Sequence, residues 1–521
     1  MTPFAAPLDD MLFCLEAVGR PGGLPGWDGS LATEIARHFA SFAEGEIAPL
    51  DAPGDRQGAR LVDGRVRMPD GFATVYRALA GQGWQGLTAP EALGGQGAGP
   101  LVGALTSEIF SGANQSLQMI TGLVPGAVRT LLAFGSAEQQ ARLIPPLVSG
   151  AWLSTMCLTE PEAGSDLSRI RTRAVREGDG WRIEGEKIFI SGGDQDLSEG
   201  ILHLVLARTS DAGVKGLSLF ACTGREGIAV PRIEDKMGLH ASPTCQMRFS
   251  GAPAELIGPE GDGLRAMFTM MNHARLDVAL QGVAHAARAA DVARRYAAER
   301  RQGRGPDGAE ASLDTHGDVR RMIDCADALA MGARGIAHLA FVTMERGEAA
   351  ALVDFLTPLA KVHCTEAGIE AAGLGMQVLG GYGYLREYRL EQTCRDVRVT
   401  AIYEGTNGIH ERALATRLLG GAPGAAFSAF LAAEPGAGIV APRAVWEAAR
   451  SSVAARADAA DLAHDLVQIA RQALLSVVWT RMADAAGSHP RPERIRRLAA
   501  AALRETAIMA RSHALRSGLS G

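Results

Sequence analysis

The spacing of apolar residues divides the first half of the chain into a helical segment and an extended one. Up to about residue 150, apolar positions such as Ile35 and Phe39 recur at helical spacing, and a Leu- and Ala-rich stretch at 101–150 continues this pattern. From 151 to about 265 the pattern changes to short β-type runs separated by Gly, Asp and Pro. The first segment predicts a helical unit, and the second predicts a small β-barrel or sandwich.

Helical spacing returns in the second half of the chain. It predicts four long helices, which imply a bundle, over 273–301, 316–346, 351–379 and 400–419. A polar, glycine-rich break at 302–312 indicates an exposed loop, and the Gly-, Ala- and Pro-rich stretch at 420–442 indicates a linker. Residues 443–521 predict a further helical segment that is interrupted near 487–492.

These patterns predict an α+β chain of four parts. The expected parts are an N-terminal helical domain (1–150), a middle β domain (151–265), a C-terminal helical bundle (266–420) and an additional C-terminal helical domain (443–521).

Composition narrows the class of protein. The 521 residues are 47% hydrophobic and 21% charged, values typical of a chain that folds throughout. A net charge of −6 argues against a nucleic-acid-binding protein, and the excess of arginine over acidic residues after position 443 is typical of a solvated helical face. Seven scattered cysteines show neither a C-x-x-C pair nor a metal-ligand spacing, which favours reduced thiols and no metal site.

The N-terminal residues and the apolar runs bear on location. The first twenty residues lack the basic region and apolar core of a signal peptide. No apolar run approaches the length that crosses a bilayer. We therefore expect a cytoplasmic protein without a membrane span.

Two segments of the predicted β unit contain turns suited to ligands. Cys157–Asp166 combines glycine with hydroxyl residues, which describes either a turn that holds a polar ligand or a plain structural loop. Gly185–Gly193 places Phe189 near Ser191, an arrangement that suits a flat heterocycle because a ring packs on its face while a hydroxyl contacts its edge. Phe189 as an ordinary core residue is the simpler interpretation of that segment taken alone.

Two further segments follow the third predicted helix of the second half. Gln377–Gly383 contains adjacent glycines that let an anion such as a pyrophosphate approach the backbone, although helix ends use the same residues. Ala401–Asn407 places Glu404 between an apolar pair and a Gly-Thr turn. Desolvation there would raise the pKa of the carboxyl toward that of a general base, and a surface glutamate at a helix start fits the pattern equally well.

Taken in order, these segments resemble the acyl-CoA dehydrogenase family over about residues 30–420. Cys157–Asp166 is similar to the first family signature, and Gln377–Asp396 is similar to the second, with Gln392 where a basic residue is usual. Tyr403–Thr406 is similar to the catalytic segment. The resemblance implies the family's fold, with an N-terminal helical domain, a middle β-barrel and a C-terminal four-helix bundle, to which this chain adds a C-terminal helical segment.

The resemblance also implies a reaction and the residues that carry it. FAD would accept the electrons as an acyl-CoA thioester becomes a trans-2-enoyl-CoA, with Glu404 as the base at Cα. In some members the base lies at a position that corresponds here to Ala274. Ser165 corresponds to a contact with the CoA arm, and Arg275 to a helix arginine near the active site that fits a helix-cap ion pair equally well. The positions implied at FAD are Met156, Leu158, Thr159, Phe189, Ser191, Arg300, Gln377, Gly381 and Thr406.

Partners and substrate follow from the same resemblance. The family implies an electron-transfer flavoprotein as the electron acceptor and a homodimer that shares its FAD contacts. The segments around the site most resemble a bacterial subgroup that includes 3-methylmercaptopropionyl-CoA dehydrogenases and acts on short and medium acyl chains. Two other functions remain open: an acyl-CoA oxidase with the same base, and a flavin-bearing DNA-binding relative, against which the acidic net charge and Glu404 both count.

Overall fold

The computed structural model describes residues 3–178, 180–305, 308–347, 349–454 and 456–519. The chain forms two compact units. Unit 1 consists of Met1–Ser41, Pro100–Gly112 and Arg275–Gly521, and unit 2 consists of Phe42–Gly99 and Ala113–Ala274.

Helices dominate the described residues. The α-helices are α1 (Leu8–Cys14), α2 (Gly29–Phe42), α3 (Asp51–Gln57), α4 (Phe72–Gly81), α5 (Pro100–Thr121), α6 (Val124–Phe134), α7 (Ala137–Val148), α8 (Gly263–Glu299), α9 (Gly317–Arg346), α10 (Ala350–Leu379), α11 (Leu390–Arg398), α12 (Asn407–Ala413), α13 (Ala422–Ala433), α14 (Ala437–Val453), α15 (Ala463–Asp484) and α16 (Pro492–Arg516).

The strands belong mainly to unit 2. They are β1 (Arg60–Val62), β2 (Arg65–Arg67), β3 (Trp152–Cys157), β4 (Arg173–Glu177), β5 (Gly180–Ser191), β6 (Gly200–Arg208), β7 (Leu217–Thr223), β8 (Ile228–Ile233), β9 (Thr244–Ile257), β10 (Arg301–Arg304) and β11 (Glu310–Ser312).

Strands β3 to β9 form one sheet with the order β3-β6-β4-β5-β9-β7, and β8 pairs with β9. Strand β6 also pairs with β7, which closes β6, β4, β5, β9 and β7 into a ring. Residues 201–208 of β6 are all buried, as expected for a strand covered on both faces. The predicted β-barrel is therefore confirmed.

Small residues let the long helices of unit 1 approach closely. Ala289 and Ala293 on α8, Ala326 on α9 and Ala371 on α10 lie in one buried apolar cluster. A Cβ added at Gly282 of α8 would lie 2.2 Å from the carbonyl oxygen of Cys364 on α10, so only glycine permits this crossing. The crossing brings the middle of α10 against α8.

The chain after residue 399 differs from the prediction. In place of a helix over 400–419, a turn precedes α12, which begins only at Asn407. Glu404 and Gly405 have φ values of +55° and +89°, which a right-handed helix does not allow. The stretch 302–312 forms the short hairpin β10–β11 in place of a loop, apart from 306–307, which lie outside the described residues.

The linker predicted at 420–442 is wrong, because this stretch forms α13 and the start of α14. Phe427 and Leu431 are fully buried, and the ring of Phe427 stacks on that of Phe355 with centroids 4.5 Å apart. Alanine is a strong helix former, so an alanine-rich segment that can bury such a face becomes helical. The predicted interruption near 487–492 is present between α15 and α16.

A buried ion-pair network joins distant parts of unit 1. Arg494 of α16 donates to both oxygens of Asp10 in α1, at 2.8 and 3.1 Å, and to Asp327 of α9 at 2.8 Å. His489 donates to the same carboxylate at 2.9 Å. These partners hold the pKa of Asp10 well below its usual range against the opposing effect of burial.

Among the described helices, α9 is long and apolar enough to cross a bilayer. The bent pair α5 and α6 also meets this criterion if it is counted as a single span. In α9, 83% of the apolar window is buried inside the protein. Packing in the core of unit 1 accounts for its apolar character.

Candidate active site

The turn between α11 and α12 presents Glu404 in a strained conformation. A left-handed conformation costs a non-glycine residue on the order of 1 kcal/mol, and here φ is +55°. The carbonyl oxygen of Glu404 accepts hydrogen bonds from His410 Nε2 at 3.0 Å and Arg275 Nε at 3.4 Å. Arg275 lies inside α8 and contacts the turn through this bond.

The Glu404 carboxyl group is desolvated. The residue as a whole is half-buried, but its Oε2 atom is buried and has no hydrogen-bond partner. Burial raises the pKa of Glu404 to about 7, with Arg275 and Lys361 opposing the rise and Asp277 adding to it. A carboxyl group with this pKa is divided between its acid and base forms near neutral pH, as a general base requires.

Lys361, which the sequence patterns do not single out, fastens the same turn. It lies on α10 with no exposed surface, and its Nζ donates to the carbonyl oxygen of Gly405 at 2.8 Å and to Asn407 Oδ1 at 2.9 Å. Burial lowers the pKa of Lys361 to about 7. A single lysine within the otherwise uncharged run 355–365 is the signal that marks a buried functional cation.

Tyr403 is held from the other side of the turn. Its hydroxyl donates to Gln281 Oε1, and Gln281 Nε2 donates to Asp277 at 3.3 Å. Asp277 also accepts a hydrogen bond from Ser107. This chain of hydrogen bonds ties the residue before Glu404 to α8 and α5.

Neither glutamate of the first signature has the properties of a base. Glu160 accepts hydrogen bonds from Lys187 Nζ at 2.7 Å and from the backbone N–H groups of Arg171 and Thr172 at 2.7 and 3.1 Å. These partners hold the pKa of Glu160 below its ordinary value although burial opposes them. The exposed Glu162 pairs with Arg169 at 3.1 Å.

In unit 2 the structure brings two predicted flavin segments together. The N–H of Ile188 donates to the carbonyl oxygen of Thr159 at 2.9 Å, and Lys187 Nζ donates to that of Leu158 at 3.0 Å. Residues 156–159 therefore lie beside residues 187–191. Ser165 lies on an exposed turn after this pair of segments.

A β-bulge exposes Phe189. Lys187 pairs with Met247 and Ile190 pairs with Cys245, so two residues of β5 face one residue of β9. Phe189 takes a φ of +60°, and its side chain is 59% exposed. An ordinary core position is therefore excluded, and the ring is available for a planar partner.

Four of the positions implied at FAD are exposed on unit 1, namely Arg300, Gln377, Gly381 and Thr406. The guanidinium of Arg300 lies 5.9 Å from the centroid of the Tyr382 ring, which places it beside the turn that contains Gly381. Gln377 lies in the last turn of α10, just before this turn. Thr406 occupies the N-cap position of α12 without a side-chain capping bond. No described contact links Thr406 to Arg300.

Each unit by itself has groups that fit part of FAD. Within the described residues, the side-chain hydroxyls of Thr159, Ser191 and Thr406 make no hydrogen bond, and the backbone N–H of Glu404 donates none. Added Cβ atoms at Gly380 and Gly381 would meet nothing within 4 Å, so the backbone there is open to a ligand. An exposed aromatic ring, free hydroxyl donors and open glycines are the groups that a flavin ring and a pyrophosphate require.

Comparison with known proteins identifies the family. Models of the acyl-CoA dehydrogenase N-terminal, middle and C-terminal domains match residues 32–151, 155–252 and 261–419. The 3-methylmercaptopropionyl-CoA dehydrogenase of Ruegeria pomeroyi is 39% identical over 468 residues, covering 83% of this chain and 80% of the relative.

Solved structures agree with these matches. An acyl-CoA dehydrogenase of Bacillus anthracis complexed with FAD shares the fold with a TM-score of 0.78 at 20% identity, over 95% of this chain and 89% of that one. A chain from the structure of the electron transferring flavoprotein of Acidaminococcus fermentans is 28% identical, with a TM-score of 0.65 over 73% of this chain and 95% of that one. The chain thus belongs to the acyl-CoA dehydrogenase family and is an FAD-dependent oxidoreductase that acts on the CH–CH bond of acyl-CoA thioesters.

Proposed function

We propose that Glu404 is the catalytic base and that the substrate is a short- or medium-chain acyl-CoA, with 3-methylmercaptopropionyl-CoA as the first compound to test. The observation that carries the role of Glu404 is its buried Oε2 atom, which lacks a hydrogen-bond partner, in a carboxyl group whose pKa burial raises to about 7. The relative from Ruegeria pomeroyi, whose name contains that substrate, supports the choice of acyl group.

In the proposed reaction, Glu404 takes the proton from Cα of the thioester and becomes a neutral acid. The desolvated site favours that neutral form, because burial disfavours the carboxylate. The unpartnered N–H of Glu404 would donate to the thioester oxygen, on which negative charge develops. When bound, FAD supplies the acceptor for the hydride that leaves Cβ.

The other predicted residues hold the reactants in this proposal. Phe189 and Ser191 would contact the flavin ring. Further contacts with the ring would come from Met156, Leu158 and Thr159. Ser165 would contact the CoA arm. The adenosine and phosphate groups of FAD would lie against Arg300, Gln377, Gly381 and Thr406.

The proposal extends to assembly and electron transfer. We expect a homodimer in the cytoplasm that passes its electrons to an electron-transfer flavoprotein. The likeness to a chain from a flavoprotein complex supports that acceptor, and seven free cysteines support a reducing compartment. The four-part division of the chain, 1–150, 151–265, 266–420 and 443–521, remains a prediction, with the helical stretch 420–442 between its last two parts.

Anaerobic flavin reduction tests the proposed chemistry. Purified protein is mixed with a panel of acyl-CoA thioesters, and the loss of flavin absorbance is followed in the wild type and in Glu404→Gln. We expect rapid bleaching by short or medium chains in the wild type and a loss of about a hundredfold or more in the variant. Rapid bleaching in Glu404→Gln would remove Glu404 from the role of base, and rapid reoxidation of the reduced protein by oxygen would favour an oxidase.

A further inference from the structure

Lys361 is placed to control the turn that carries the proposed base. Its ammonium group binds the carbonyl oxygen of Gly405, the residue that follows Glu404, and the side chain of Asn407, the first residue of α12. One nitrogen atom of α10 therefore binds both Gly405 and Asn407, the residues on either side of Thr406. Lys361 itself is fixed because its stem is fully buried in the helix packing of unit 1.

The turn requires such an attachment. Glu404 has a φ of +55°, a conformation that a non-glycine residue keeps only when surrounding contacts impose it, and Gly405 follows with a φ of +89°. His410 and Arg275 hold the carbonyl oxygen of Glu404, and Lys361 holds that of Gly405. Two successive carbonyl groups are thus fixed from α8, α10 and α12, which sets the direction of the Glu404 side chain.

The charge of Lys361 also acts on Glu404. The charged and titratable groups that influence this turn are Arg275 and Asp277 on α8, Lys361 and Glu366 on α10, His410 on α12, and Arg417 after it. Burial lowers the pKa of His410 to about 3, so His410 is neutral at physiological pH. Lys361 and Arg275 are the cations that stabilise the carboxylate form of Glu404, and Asp277 opposes them.

We propose that Lys361 is a positioning residue for the dehydrogenation: its hydrogen bonds to Gly405 and Asn407 hold the turn after Glu404 in its left-handed conformation, and its protonated form stabilises the neighbouring Glu404 carboxylate. The inference rests on the proposed role of Glu404. Lys361 contributes no atom to the substrate reaction, so its effect is transmitted entirely through the base.

The test measures the rate of flavin reduction by an acyl-CoA as a function of pH in holoenzyme variants. Lys361→Met removes the charge and both donated hydrogen bonds. The pKa of Glu404 should rise as a result, so we expect the acid limb of the profile to move to higher pH by about one unit. Lys361→Arg keeps a cation with several donors and should leave the acid limb in place. Cys364→Ala, a matched change on α10 that faces α9, should leave the limb and the plateau unchanged.

Asn407→Ala tests the holding role separately, because it keeps the lysine and removes the side chain that joins Lys361 to the start of α12. The same side chain also donates to Thr365 and Glu366, so these bonds are lost with it. We expect an unmoved acid limb and a plateau rate lowered by about tenfold, since misplacing a reacting group slows the chemical step. This variant also decides the holding role if Lys361→Met does not retain FAD.

The outcomes separate this inference from the role of Glu404. An unmoved limb in Lys361→Met would overturn the electrostatic role, and a wild-type plateau in Asn407→Ala would overturn the holding role. Both results leave the base assignment intact if Glu404→Gln is inactive. Rapid flavin reduction in Glu404→Gln would instead overturn the base assignment and this inference with it.

Discussion

Replacing Glu404 with glutamine is expected to stabilise the folded protein at pH 8 while removing its turnover. The Oε2 atom of this carboxyl group is buried without a hydrogen-bond partner, and burial raises the pKa of Glu404 from 4.5 to about 7. An acid with a higher pKa in the folded state binds its proton more tightly when folded. Stability therefore increases as the pH falls from 8 toward 5, and it decreases as the pH rises through 7.

The size of the effect follows from the shift in pKa. Raising the pKa of Glu404 from 4.5 to about 7 lowers the unfolding free energy at pH 8 by about 3 kcal/mol, since each pKa unit is worth about 1.4 kcal/mol. At pH 5 the folded carboxyl group is already neutral, and the remaining difference is about 1 kcal/mol. Glutamine is neutral at both pH values and has the same shape. The variant should therefore gain about 3 kcal/mol over the wild type at pH 8 and about 1 kcal/mol at pH 5.

Urea unfolding of the substrate-free protein at the two pH values measures this difference. The control is Glu162→Gln, because Glu162 is exposed and its pairing with Arg169 at the surface is worth little. The control should change unfolding free energy by less than about 0.5 kcal/mol at either pH. An equal effect of Glu404→Gln at pH 5 and pH 8 would show that the carboxyl group is solvated in the folded protein, which would refute the argument from burial.

Three further outcomes are expected. In the free enzyme, kcat/KM should fall about tenfold per pH unit below pH 7 as Glu404 becomes protonated, which a stopped-flow pH series measures. Lys187→Met should destabilise unit 2 by about 3–5 kcal/mol and lower FAD retention, because Glu160 keeps a buried charge, and adding Glu160→Gln should recover part of the loss. Phe427→Ala should lower the free energy of unfolding, measured by thermal denaturation, by about 3–5 kcal/mol and leave turnover per FAD unchanged.

The sequence predicts the architecture well where a pattern reflects local physics. The short β-type runs of 151–265 form the barrel, and the helical spacing of the second half forms α8, α9 and α10. Failures occur where tertiary contacts decide the structure. The turn at Glu404 interrupts a helical pattern because Lys361, His410 and Arg275 hold its carbonyl groups. Lys361 and Arg275 lie 44 and 129 positions from the groups they bind.

In the candidate site, too, local patterns predict some features and tertiary contacts decide the others. Phe189 is recognisable from its neighbours Ser191 and Gly192, but the bulge that exposes it depends on the register between β5 and β9. Register is a property of two strands, so one strand's sequence does not determine it. Lys361 belongs to the site through hydrogen bonds across 44 and 46 residues of sequence, which no local motif encodes.

The ion pairs between Asp10, His489 and Arg494 have a consequence for synthesis of the chain. Asp10 and Arg494 are separated by 484 positions. At typical translation rates, about 25 to 100 s therefore pass between the synthesis of α1 and that of Arg494. During that time Asp10 keeps its water shell and α1, with seven residues, is too short to persist alone. Helix α1 is therefore made before the other described helices but is among the last to reach its native position, and nascent chains halted before α16 should leave it open to proteases.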